Sequence, residues 1–163
     1  MPVDMFLKVD GIKGESKDSK HPGEIDVLSW SWGMTSSSPA GGGGGGGTGR
    51  VSFRDLSIGK RIDAATPTLM LSCASGQHIK SALLTARRGG GTALEYLKIR
   101  MDVVQVTSVG VGEPGAGGEV TETVTFNFRE VRVDYIGQSD TGTPHPPISF
   151  VKFIGEGEAP RGP

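Results

Sequence analysis

Residues 24–34 read EIDVLSWSWGM, and their alternation decides the fold. At a period of two, Leu28, Trp30, Trp32 and Met34 fall on one side and Val27, Ser29, Ser31 and Gly33 on the other. Both tryptophans point the same way. Two indoles and two flexible aliphatic side chains are enough apolar area to anchor a small β core, each fully buried side chain contributing roughly 1.5–3 kcal/mol. The opposite face is small and polar, fit to lie against water, a neighbouring subunit or a channel wall. None of these residues has the chemistry of a catalyst.

On the N-terminal side, residues 3–9 alternate in the same way, with Val3, Met5, Leu7 and Val9 on one face. Residues 10–23 are polar and turn-rich, and the cluster Lys17, Asp18, Ser19, Lys20 reads as a solvated loop. On the C-terminal side, residues 35–49 contain seven consecutive glycines, which have no side chains to offset their ordering entropy and predict a flexible loop. In residues 51–62, Val51 and Phe53 are in one phase and Leu56 and Ile58 in the other, predicting a β-bulge near Arg54 and Asp55. Thr66 as N-cap, Pro67, a stripe of Leu69, Met70 and Cys73, and Gly76 as C-cap predict one short helix over about 66–75.

Residues 79–87 and 94–106 read as a hairpin with a glycine-rich tip, and a second glycine-rich loop follows. Residues 120–136 form the longest strand region. Phe126 and Phe128 join Trp30 and Trp32 as core anchors, Thr121, Thr123, Thr125 and Asn127 line the other face, and a phase change predicts a bulge near Arg129 and Glu130. A final strand over 148–154 precedes a loose tail, 155–163. The pattern is mainly β: an antiparallel barrel or sandwich of seven or eight strands with one helix, in one domain spanning 1–163.

Composition narrows the function. A chain of 163 residues can bury one sizeable core. Its net charge of −1 gives no overall electrostatic footprint for nucleic acid or an anionic membrane. The first residues lack the apolar run of a signal peptide or membrane span, so synthesis in the cytoplasm is expected, with export by a route that reads no signal peptide left open. Cys73 is the only cysteine, which excludes an intrachain disulfide and a cysteine-based zinc cluster.

The motifs that suggest chemistry fail on inspection. The run from Gly41 to Arg50 has Walker A spacing, but Arg50 stands where Lys is needed, Val51 replaces the magnesium-binding hydroxyl, and no helix signal follows. His21, His78 and His145 sit in unrelated segments and read as solvated loop residues. Cys73 reads as a small hydrophobe on the helix, and Arg87 and Arg88 as a solvated turn. No catalytic residue, metal ligand or cofactor site is expected. The polar, uncharged strand faces instead suggest edges that pair between copies.

The opening VDMFLKVDGIKGES, the strand EIDVLSWSWGM, the glycine loop and the runs VSFRDLSIGKRIDAATPTLMLSCASGQHI, EYLKIRMDVVQVTSV and VTETVTFNFREVRVDY together resemble the haemolysin-coregulated protein (Hcp) family, tube proteins of bacterial type VI secretion systems. The resemblance covers most of residues 1–136, whereas ISFVKFIGEGEAPRGP departs from the usual closing segment. It implies a β-barrel with one helix, a homo-hexameric ring, stacked rings, and a lumen that carries exported effectors. The expected partners are therefore other copies, secreted effectors and the sheath and spike components, with no nucleic acid and no membrane insertion. Under this resemblance Ser31 and Ser29 face the lumen, and Gly44, Gly47, Arg88 and Gly90 lie at loop tips on the ring faces. The protein would be cytoplasmic before assembly and then secreted. Two other readings compete with it: a monomeric β-barrel adaptor, and a nucleotide-binding domain using the Gly41–Arg50 loop.

Overall fold

In the computed structural model, which describes residues 3–37, 50–89, 93–114 and 118–154, the tryptophan segment closes a barrel. It contributes β2 (Ile25–Asp26) and β3 (Ser29–Ser31), separated only by Val27 and Leu28. The first half pairs antiparallel with β1 (Val3–Val9) and the second with β6 (Leu56–Arg61). Val27 N–H donates to the Met5 carbonyl at 3.0 Å and Leu28 N–H to the Gly59 carbonyl at 2.8 Å, so the changeover is hydrogen-bonded on both sides.

The remaining wall is made by β7 (His78–Arg88), β8 (Leu94–Pro114) and β9 (Val120–Tyr135), in the order β2-β1-β7-β8-β9-β6-β3. Every pairing is antiparallel. The upper part of β9 also pairs with β10 (Ile148–Phe153), which lies off this circuit. A two-stranded arm, β4 (Met34–Ser37) with β5 (Arg50–Phe53), leaves the barrel between β3 and β6. The interior holds Leu7, Ile25, Leu56, Ile58, Leu84, Met101, Val124, Phe126 and Phe128, with Ala65 and Leu69 of the helix α1 (Ala65–Ser75) packed among them.

Several sequence readings are corrected. The phase change at Arg54 and Asp55 is not a bulge: β5 pairs with β4, the chain then crosses, and β6 joins the barrel. Trp30 and Trp32 are half-buried and pack against the core instead of filling it, and their face partners Leu28 and Met34 are exposed. Leu28 is exposed because the phase breaks where the chain passes from β1 to β6, and there Val27, expected on the outer face, is buried instead; Met34 is exposed because the arm begins after Trp32. Residues 35–37, read as loop, are strand, and β8 runs on through 107–114 into the second glycine-rich stretch. The flexibility expected of residues 38–49 and of the tail 155–163 concerns stretches outside the described residues.

Near Arg129 the inner face of β9 does change phase, from Phe128 to Val131. The pairing register nevertheless holds through it, with Val104 opposite Phe128 and Asp102 opposite Glu130. The irregularity sits in β8, where Val103 takes φ 54° and both strands hand over their buried face together. For a β-branched residue this left-handed conformation is strained. Register shifts occur instead at Val106/Ser108 and Val111/Glu113.

In the helix, Asp63 does the capping expected of Thr66. Its Oδ1 accepts from the Ala65 N–H at 2.9 Å, while its own N–H donates to Thr66 Oγ1 at 3.0 Å, a reciprocal arrangement of capping-box type. Gly76 ends the helix at φ 66°, the left-handed C-cap that glycine takes without penalty. Leu69 is buried and Cys73 half-buried, but Met70 of the expected stripe is exposed.

Candidate functional site: a hydroxyl-lined sheet face

The pairing of β3, β6, β9 and the second half of β8 lines up two outward rows. One runs Ser31, Ser57, Thr125, Ser108; the other runs Ser29, Gly59, Thr123, Gly110. Directly opposed residues in an antiparallel sheet share a face, so the first row is entirely hydroxyl and the second hydroxyl and glycine. Ser29, Ser31, Thr123 and Ser108 are exposed. Gly59 leaves room for the Ser29 hydroxyl, since a Cβ added there would lie 2.5 Å from Ser29 Oγ unless that side chain turned away. The inner face of the same strands carries Trp30, Ile58, Val124 and Val109.

The row is tied laterally. Thr125 Oγ1 lies 2.7 Å from Thr107 Oγ1 and 2.6 Å from Ser108 Oγ. Thr107 Oγ1 also donates to Asp55 Oδ2 at 2.7 Å, and Asn127 Nδ2 donates to Asp55 Oδ1 at 3.1 Å. Asp55, at the start of β6, is thereby held against β8 and β9. Among the described side chains of this face, the charged ones stand toward the ends, Asp55 near one and the Arg61–Glu119 pair (2.9 Å) at the other. Such a surface binds water and polar backbone without selecting strongly for one sign of charge.

Of the residues named for the ring faces, Gly44, Gly47 and Gly90 lie outside the described residues. Arg88 is exposed, its guanidinium 4.5 Å from the centroid of the Tyr96 ring. Phe126 and Phe128 are buried. Trp32 acts as a clamp: its indole N–H donates to the Arg54 carbonyl at 2.7 Å, and its ring stacks on Phe53 and tilts against Phe128. It fastens the β4–β5 arm to the barrel.

Two charged sites escaped the sequence reading. Lys60, fully buried, donates to Glu122 Oε1 at 2.8 Å, Asp63 Oδ1 at 2.8 Å and Thr66 Oγ1 at 3.2 Å. Thr66 Oγ1 donates in turn to Glu122 Oε2 at 2.8 Å. All three ammonium protons are used, and the cluster ties α1 to β6 and β9. The second site fastens the loop before β2. His21 is buried, contrary to its reading as solvated. It stacks on Phe6, with Nδ1 3.0 Å from Glu24 Oε1 and Nε2 2.6 Å from Glu95 Oε2.

Arg87, also buried instead of solvated, donates through two N–H groups to Asp18 and through Nη2 to Asp4, its guanidinium 5.0 Å from the Phe6 ring centroid. The bonds from Arg87 hold the Asp18 carboxyl well below the usual carboxylate range and push the Arg87 pKa higher still. Burial pushes the Glu95 carboxyl up, but the interactions with His21 and then Lys98 together outweigh it and the net shift is downward.

The chain matches the family described as "Type VI secretion system effector, Hcp" over residues 6–135. It is 52% identical over 143 residues to Protein hcp1 of Pseudomonas aeruginosa, covering 87% of this chain and 88% of that one. Among solved structures, a type VI secretion system effector from Yersinia pestis superposes with a TM-score of 0.75 at 31% identity, covering 93% of this chain and 100% of that one. Hcp1 from Salmonella typhimurium gives 0.71 at 36% identity, covering 92% and 94%. The curled antiparallel barrel with its single helix is the fold of these proteins, and the chain belongs to the Hcp family, the tube proteins of type VI secretion.

Proposed function

We propose that this chain is the ring-forming subunit of a type VI secretion tube and that the hydroxyl face lines a lumen in which effectors are carried. The observation that supports this most is the pair of edges bounding that face. Among the described residues, β3 pairs only with β6, and beyond Gln105 β8 pairs only with β9. The four-stranded sheet therefore ends in two different open edges. Joining one edge to the other edge of the next copy is a heterologous contact, and when the rotation closes it makes a ring. Six copies, the number the family resemblance implies, give a continuous wall with Ser29 and Ser31 toward the inside and the half-buried tryptophans on the barrel side. Effectors of this kind are bound by many weak polar contacts, each hydroxyl contributing about 0.5–1.5 kcal/mol. Symmetric repetition multiplies them. Other copies stack on the ring faces, and the sheath and spike are the outer partners.

Ser31→Gln tests the carrier role. A longer amide projects from the wall, displacing close contacts while the inner face stays as it is. Co-purification of an effector with the ring falls several-fold, while ring mass and melting temperature are unchanged. Full retention of effector by a Ser31→Gln ring would remove Ser31 from the carrier surface.

A further inference from the structure

The last strand, β10, is exposed along its whole length, including Ile148 (72%), Val151 (54%), Phe153 (43%) and Phe150 (39%). Among the described residues it pairs only with β9, and it lies off the strand circuit that carries the hydroxyl face. An open strand edge with this much apolar surface is a template for another strand. We propose that β10 pairs antiparallel with β10 of a second copy about a two-fold axis through Val151.

The hydrogen-bond pattern restricts the register. Ile154 N–H donates to the Arg129 carbonyl at 2.6 Å, and the β9 register continues from there as Lys152 with Val131, Phe150 with Val133 and Ile148 with Tyr135. Even-numbered residues therefore direct their backbone groups to β9, and odd-numbered ones, Ser149, Val151 and Phe153, direct theirs outward. A two-fold pairing must set odd against odd, which puts the axis on a residue, and axes at 150, 151 or 152 keep most of the strand paired.

An axis at 152 places Lys152 against its own copy, a like-charge pair that is destabilising. An axis at 150 pairs Phe153 with Pro147, an outward position that has no N–H to give. The axis at 151 avoids both. Ser149 then exchanges bonds with Phe153 of the other chain and Val151 with itself. Ile148 meets Ile154, and each Phe150 ring lies opposite a Lys152 ammonium. No salt bridge engages Lys152 among the described residues, so its charge is available for that contact. One strand pair is a small interface, so the contact is weak and reversible.

Cross-linking reads this register directly, whether or not the chain is also in a ring. In a Cys73→Ser background, Val151→Cys places two thiols across a hydrogen-bonded pair about 5.5 Å apart at Cα, within disulfide range. Mild oxidation gives a two-chain band on a denaturing gel. Lys152→Cys alone does not, because its partner is Phe150, whereas a mixture of Lys152→Cys and Phe150→Cys chains does. Val151→Pro removes an outward N–H that β9 does not use. Added to one-half of that mixture, it lowers the cross-linked fraction about tenfold or more while the melting temperature stays within a degree or two. Equal cross-linking of Lys152→Cys alone and Val151→Cys, or no two-chain band from either Val151→Cys or the mixture, overturns the pairing, as would β10 binding only strands of other proteins.

Discussion

Replacing Lys60 with Met lowers the stability of the folded chain by about 3–5 kcal/mol, because it leaves the buried Glu122 carboxylate, and the half-buried Asp63 beside it, without their cation. Lys60 is fully buried and its ammonium is shared by Glu122, Asp63 and Thr66. Without it, the Thr66 hydroxyl is the side-chain partner left to the buried Glu122 carboxylate among the described residues. In a chain of this length the loss corresponds to a fall in melting temperature of roughly 6–20 °C, measured at fixed protein concentration so that assembly does not shift it. The double variant Lys60→Met with Glu122→Leu recovers most of the loss, since removing a buried pair together is far less costly than orphaning one member. An unchanged melt for Lys60→Met, or a double variant as unstable as the sum of the single changes, would show that the cluster does not act as a unit.

Phe126→Ala costs about as much, roughly 3–5 kcal/mol, by opening a cavity in the barrel interior. Phe126 is fully buried, with Leu56 opposite it on one neighbour and Val106 on the other. The surrounding strands are paired on both sides and have little room to collapse. Trp32→Ala has a different signature. The indole is half-buried and its contacts run to Phe53, Phe128 and the Arg54 carbonyl, so its loss frees the β4–β5 arm more than it unfolds the barrel. Tryptic cleavage at Arg54 then accelerates well before the melting temperature falls as far as in Phe126→Ala. If Trp32→Ala melts as early as Phe126→Ala with no change in cleavage, the indole belongs to the core after all.

The contrast between these residues shows what the sequence could carry. Period-two alternation placed Phe126 and Phe128 inside and Ser29, Ser31, Thr123 and Thr125 outside, because parity within one continuous strand is a local property. Parity failed for Val27 and Leu28, because the chain changes partner from β1 to β6 between them and shifts phase there, and for Met34, because the chain leaves the barrel just after Trp32. Lys60 and Glu122 were readable in principle. Each stands in an apolar phase, Leu56-Ile58-Lys60 and Glu122-Val124-Phe126, and two opposite charges in buried phases of strands that pair is the pattern of an internal ion pair.

His21 was not readable that way. Glu24 is three residues away, but Phe6 and Glu95 come from β1 and β8, and only the fold brings them to the ring. Arg87 likewise reads as part of a turn until Asp18 and Asp4 are seen to converge on it. The open edges of the hydroxyl sheet depend on which strands end where, information that belongs to topology and not to composition.

The mass of the purified chain by multi-angle light scattering tests the central claim most directly, because closure of the β3 edge on the β8 edge of the next copy forces a fixed number of subunits. The account predicts a species of about six times the 17.0 kDa chain mass, stable on dilution through the micromolar range. A single species at the mass of one chain under those conditions, with the barrel folded, would contradict it.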